Sequence, residues 1–134
     1  MRNLRLALIL FGLGVATAIA THAQDTRAVK SSKPDCFLSH DWSGWKATPD
    51  SKAMYIRVGG NRLYRLDMAQ ACPSLNGIGM YLVTRTRGSS WICHPLDLDL
   101  KVSDGHGFKT ACIVSGITRL SPEAAKALPR NQQP

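Results

Sequence analysis

Residues 53–68, AMYIRVGGNRLYRLDM, constrain the fold of this chain more than any other stretch. Met54, Ile56 and Val58 alternate with Tyr55 and Arg57, and Tyr64, Leu66 and Met68 alternate with Arg65 and Asp67. A period of two with one apolar face marks a half-buried strand. Between the two runs, Gly59-Gly60-Asn61 tolerates positive φ and reads as a turn. The two apolar faces fall on the same side only if the loop holds an odd number of residues. These three loop residues therefore set Val58 opposite Arg62, Arg57 opposite Leu63, Ile56 opposite Tyr64 and Tyr55 opposite Arg65. A two-residue loop would bring Arg65 among Met54 and Ile56, where an unpaired charge costs roughly several kcal/mol.

The remaining segments extend this β pattern. Residues 80–87 and 90–93 read as a second hairpin through Gly88. Leu96, Leu98, Leu100 and Val102 alternate with Asp97, Asp99 and Lys101, and residues 103–107 turn that strand back into 108–114. Residues 69–73 allow at most one helical turn, which Pro73 ends. The only convincing helix comes last: Ser121 caps it, Pro122 takes its first position, Glu123 meets its N-terminus and Pro129 stops it. About six or seven short strands and one short helix predict a single mainly β domain, a small antiparallel barrel or sandwich. Alternation alone leaves those two open.

Residues 1–5 carry Arg2 and Arg5, and residues 6–20 hold no charge, with small residues following at 21–23. This predicts a secretory signal peptide over 1–23, because 15 uncharged residues fall short of the ~20 needed to span a bilayer. Cleavage after Ala23 removes both arginines and lowers the formal charge from +8 to +6. Residues 24–35 then read as a flexible leader, 36–130 as the domain and 131–134 as a disordered tail. The four cysteines, Cys36, Cys72, Cys93 and Cys112, all follow the signal segment, so two disulfides in an oxidising compartment are expected. Three pairings are possible. A sheet closing on itself would make its first and last strands neighbours, which favours Cys36–Cys112 with Cys72–Cys93. A metal site with His40 or His94 lacks paired cysteine knuckles, and Cys93-His94 lacks the rest of a haem attachment motif; no cofactor is implied.

Candidates for chemistry are few. Residues 43–46, 103–105 and 109–111 resemble the three boxes of serine β-lactamases, but two depart at the last residue and the chain is far too short; chance accounts for them. Asp97 and Asp99, two apart on a strand, would share a face and offer an acid/base pair, with Lys101 beside them. Tyr55, Arg57 and Arg65 lie on the outer face of the 53–68 hairpin, and Arg85 and Arg87 extend that stripe if their strand is adjacent. Guanidinium forks beside an aromatic ring suit an anionic ligand. Trp45 and Tyr64 read as core, whereas Trp42, among polar and turn-forming residues, is the better surface ring.

Cys36-Phe37, Asp41-Trp42-x-Gly44-Trp45, Tyr55-Ile56-Arg57-Val58, Asn61-Arg62-Leu63-Tyr64-Arg65-Leu66, Cys72-Pro73-x-Leu75, Ile92-Cys93 and Cys112-Ile113 together resemble a family of small secreted proteobacterial proteins known only as a domain of unknown function. The likeness covers about residues 36–120. It implies a secreted or periplasmic bacterial protein and brings no catalytic residue with it. Three functions follow as expectations. The first is a non-enzymatic envelope binding module for an anionic polymer or a partner protein, with nucleic acid among the candidate ligands; its residues would be Tyr55, Arg57, Arg65, Arg85, Arg87 and Trp42. The second is a small periplasmic hydrolase or lyase using the Asp97/Asp99 face. The third is a structural or inhibitory protein acting through the 103–107 loop.

Overall fold

The computed structural model describes residues 35–134. The signal peptide over 1–23 and most of the 24–35 leader lie outside the described residues. Among the described residues, nine strands form three antiparallel sheets. The largest has the order β2 (Trp42–Ala47), β3 (Ala53–Val58), β4 (Arg62–Met68), β9 (Val114–Arg119). The second is β5 (Tyr81–Thr86), β7 (Leu98–Ser103), β8 (Lys109–Ala111), and a two-residue pair joins β1 (Phe37–Leu38) to β6 (Trp91–Ile92). Neither larger sheet closes on itself. Of the two architectures that alternation allowed, the open, sandwich-like one is formed.

The β3–β4 register is the expected one at all four pairs, from Val58 opposite Arg62 to Tyr55 opposite Arg65. Gly59 and Gly60 take φ of 52° and 85°, the left-handed turn that a side chain would strain. Met54, Ile56 and Val58 of β3 and Tyr64, Leu66 and Met68 of β4 are buried. They meet Leu98, Leu100 and Val102 of β7 in one core, which Phe37 and Ile92 join from the short pair. The Phe37 and Tyr64 rings lie 4.8 Å apart between centroids.

Three expectations are corrected. Residues 80–87 and 90–93 do not pair with each other: β5 pairs with β7, and β6 reaches back to β1, setting Phe37 opposite Ile92. Burial of both apolar side chains outweighs the local turn at Gly88. The strand expected from Leu96 begins at Leu98, because Pro95–Asp97 forms a 3-10 turn that leaves Leu96 exposed. The disulfides are Cys36–Cys93 and Cys72–Cys112. The expected Cys36–Cys112 and Cys72–Cys93 pairing needed a closed sheet. In the open one, β1 neighbours β6, which aligns Cys36 with Cys93, while Cys112 sits where the chain passes from β8 to β9 and meets Cys72, four residues after β4.

The turn at 103–107 does return β7 into β8, with Val102 opposite Thr110. The C-terminal helix α1 (Pro122–Lys126) is capped as expected, the Ala124 amide donating to Ser121 Oγ. The segment read as a tail is placed on the protein: Arg130–Gln132 forms a 3-10 turn against β2, and Arg57 donates to the backbone oxygen of Pro134. No helix among the described residues is long and apolar enough to cross a membrane.

Candidate functional site

The outer face of the β3–β4 hairpin divides its arginines by their partners. Arg65 donates to Asp67 Oδ1 at 2.7 Å and to Tyr55 Oη at 3.3 Å, and its guanidinium lies 5.9 Å from the Tyr55 ring centroid. The Asp67 carboxylate raises the Arg65 pKa further above the solvent range. Tyr55 is only 6% exposed, so its ring is covered and closed to stacking on a ligand. Tyr55 and Arg65, expected to face a ligand, instead contact each other, which removes both from a ligand surface.

Arg57 is different. It is exposed on β3 and lines a cleft of about 570 Å³ between the hairpin and α1, with Asn61, Leu63, Lys126 and Gln133. No acidic side chain lines this cleft among the described residues. The hairpin turn presents Asn61 and the last turn of α1 presents Lys126, so two cations and two amides converge from segments far apart in sequence. A second cleft of about 450 Å³ adjoins it through Asn61, Leu63, Pro122 and Ala125. There the charges are matched, Arg119 with Asp35 at 3.3 Å, and Arg62 pairs with Asp41 at 3.6 Å.

Arg85 and Arg87 do not continue the Arg57 surface. The extension required their strand to lie beside the hairpin, but the neighbours of β4 are β3 and β9, and Arg85 stands opposite Asp99 in the other sheet. Asp97 and Asp99 do not share a strand face either. Pro95 begins the 3-10 turn, and Asp97 Oδ2 accepts from the backbone amides of Cys93 at 2.9 Å and His94 at 2.8 Å. Those two bonds hold the Asp97 carboxyl below the usual aspartate range. Asp99 faces Lys101 at 3.4 Å. No group of three or more His, Cys, Asp or Glu side chains gathers among the described residues.

Trp42 is partly buried and packs against the core, as does Trp45, while Tyr64 is fully buried. Sequence reasoning found Arg57 but missed Lys126, Asn61 and Gln133, which carry no periodic signal and are brought in only by the way α1 and the following turn fold back.

Fold and disulfides together define a small, doubly stapled β-sandwich with a basic cleft under its C-terminal helix. The chain belongs to the family described as Family of unknown function (DUF6491), whose model matches residues 1–133. That match takes in the leader as well as the 36–120 stretch that carries the resemblance. No curated protein and no solved structure matches the chain.

Proposed function

We propose that the protein is a non-enzymatic binding module of the bacterial envelope, secreted or periplasmic, that holds an anionic group in the cleft between the β3–β4 hairpin and α1. One observation carries this reading: Arg57 and Lys126 line the cleft with no acidic side chain beside them among the described residues, and Arg57 is held only by the main-chain oxygen of Pro134. A carboxylate or phosphate entering there gains charge-assisted bonds from a guanidinium fork and an ammonium, and Asn61 and Gln133 can donate further amide hydrogens. The signal-like segment over 1–23 and the two disulfides support an oxidising, extracytoplasmic setting.

Retention on a heparin matrix over a salt series tests the reading, with inorganic phosphate as a competing small probe. Wild type is expected to elute earlier as salt rises, and Arg57→Ala/Lys126→Ala to bind more weakly with a salt slope shallower by about two. Arg85→Ala/Arg87→Ala, which removes equal charge from the other sheet, is expected to keep the steeper slope. Equal losses in the two double variants would reduce the effect to net charge and remove the cleft from the account.

A further inference from the structure

We infer that the cleft between the free edges of β2 and β5 is a binding site for a single uncharged sugar ring, stacked on Trp42 and Trp45. The inference is independent of the Arg57–Lys126 cleft, which opens on the opposite face of the same sheet.

The site originates in one extra residue. Trp42 and Trp45 are three apart, and on a regular strand they would point to opposite faces. In β2 the register shifts between Trp42 and Gly44, so that Trp42 stands opposite Val58 and Trp45 opposite Ile56. Val58 and Ile56 both face the core, and side chains directly opposite one another share a face. The bulge at Ser43 therefore turns both indoles to the same side, where each packs against the core and remains only partly buried. Trp42 is held in place before any ligand arrives, since its Nε1 donates to the Gly44 carbonyl at 3.1 Å. A fixed ring loses little freedom on binding.

What faces the indoles selects the ligand. Leu82 and Thr84 of β5 form the opposite wall, Ser39 and Ser43 complete the rim, and the volume is about 330 Å³, the small end of the range for ligand sites. Among the described residues, no charged side chain lines this cleft. A phosphate or carboxylate would be desolvated there without a partner, which disfavours nucleotides and acidic sugars. A purely apolar ligand would cover the Ser39, Ser43 and Thr84 hydroxyls and leave them without hydrogen bonds. Apolar ring faces combined with a rim of hydroxyls satisfy both walls, and a neutral pyranose has that chemistry.

The test titrates the mature protein with neutral tetrasaccharides of glucose, N-acetylglucosamine, galactose and mannose, following tryptophan fluorescence and the indole N–H signals by NMR. At least one is expected to shift the Trp42 and Trp45 signals saturably while leaving Trp91, exposed on β6, unchanged. Trp42→Ala is expected to weaken binding about tenfold or more, by analogy with aromatic stacking on bases. Thr84→Tyr, a substitution at an exposed β5 position that fills the cleft, is expected to abolish binding with the melting temperature retained. Affinity should stay flat from low to high salt and survive Arg57→Ala/Lys126→Ala. The inference is overturned if none of the four sugars gives a saturable shift, if Thr84→Tyr binds as wild type does, or if affinity falls with salt.

Discussion

The two long sides of the sandwich are sealed by different means. On one side the chain itself runs from β8 into β9 through Cys112-Ile113, Cys112 is bonded to Cys72, and the Ala69 amide donates to the Ile113 carbonyl at 2.8 Å. The 3-10 turn that Asp97 caps packs against β9 there as well. On the other side, β2 and β5 share no ladder, and partly buried Trp42, Trp45 and Leu82 fill the gap. Covalent and main-chain closure leaves only a smaller cleft of about 190 Å³ beside Leu96, Cys112 and Ile113, whereas closure by large side chains leaves a surface of about 330 Å³ that is both core and accessible. Binding is therefore expected where stability is supplied by side chains alone.

This contrast can be broken most severely on the closed side. Replacing Cys72 and Cys112 by alanine opens a 40-residue loop in the denatured chain and should lower stability by about 4 kcal/mol in chain-entropy terms, measured by urea unfolding of the oxidised protein. The open side should yield less. Trp42→Ala removes a ring that is only partly buried, so about 2 kcal/mol is expected, below the ~3–5 of a fully buried aromatic. A loss as large as that of the disulfide variant would make the two sides equivalent and remove the basis of the comparison.

Smaller effects sharpen the picture. Asp67→Ala takes the carboxylate from Arg65 at the β4–β9 junction. Because both side chains are about two-fifths exposed, the loss should stay within ~1 kcal/mol. The same variant frees the Arg65 guanidinium, so any gain in retention on an anionic matrix would show how completely Asp67 masks it. The mildest test is acid titration. The folded Asp97 pKa lies below its unfolded value because the Cys93 and His94 amides bond the ionised form. Its contribution is therefore present above the ordinary aspartate pKa of ~3.9 and lost as pH falls through the lower folded value. Asp97→Asn is expected to flatten the acid limb of stability against pH and to leave neutral-pH behaviour at the 103–107 turn unchanged, read by NMR.

These sides were unequally legible in the sequence. Two features fixed by local turn and capping chemistry were readable, the odd loop at Gly59-Gly60-Asn61 that sets the register of β3 on β4 and the Ser121-Pro122 start of α1, whereas the Pro95–Asp97 turn was hidden by the alternation that runs through it. Pairings between distant segments were not readable, because alternation specifies which face of a strand is buried and not which strand lies beside it. Gly88 therefore suggested a hairpin that the burial of Phe37 against Ile92 overrides, and the disulfide partners followed the wrong neighbours. Of the candidate residues, Arg57 was visible as an outer-face position, yet its separation from Arg65 depends on Asp67, two residues further along the same strand. The tryptophan pair was hidden for a more specific reason: counting by twos assigns Trp42 and Trp45 to opposite faces, and only the register shift at Ser43 corrects the count.

That register shift also bears on how copies of the protein meet. β2 is an outer strand, and a flat outer strand is a template on which a second chain can add its own. An extra residue twists the strand and interrupts the row of amides and carbonyls it would offer. Deleting Ser43 leaves Trp42 and Trp45 two apart, still on one side, but straightens the ladder. The shortened protein should keep its fold and its indole environment while scattering more light at high concentration, and a deletion variant as monodisperse as wild type would mean that β2 is shielded by something other than its own irregularity.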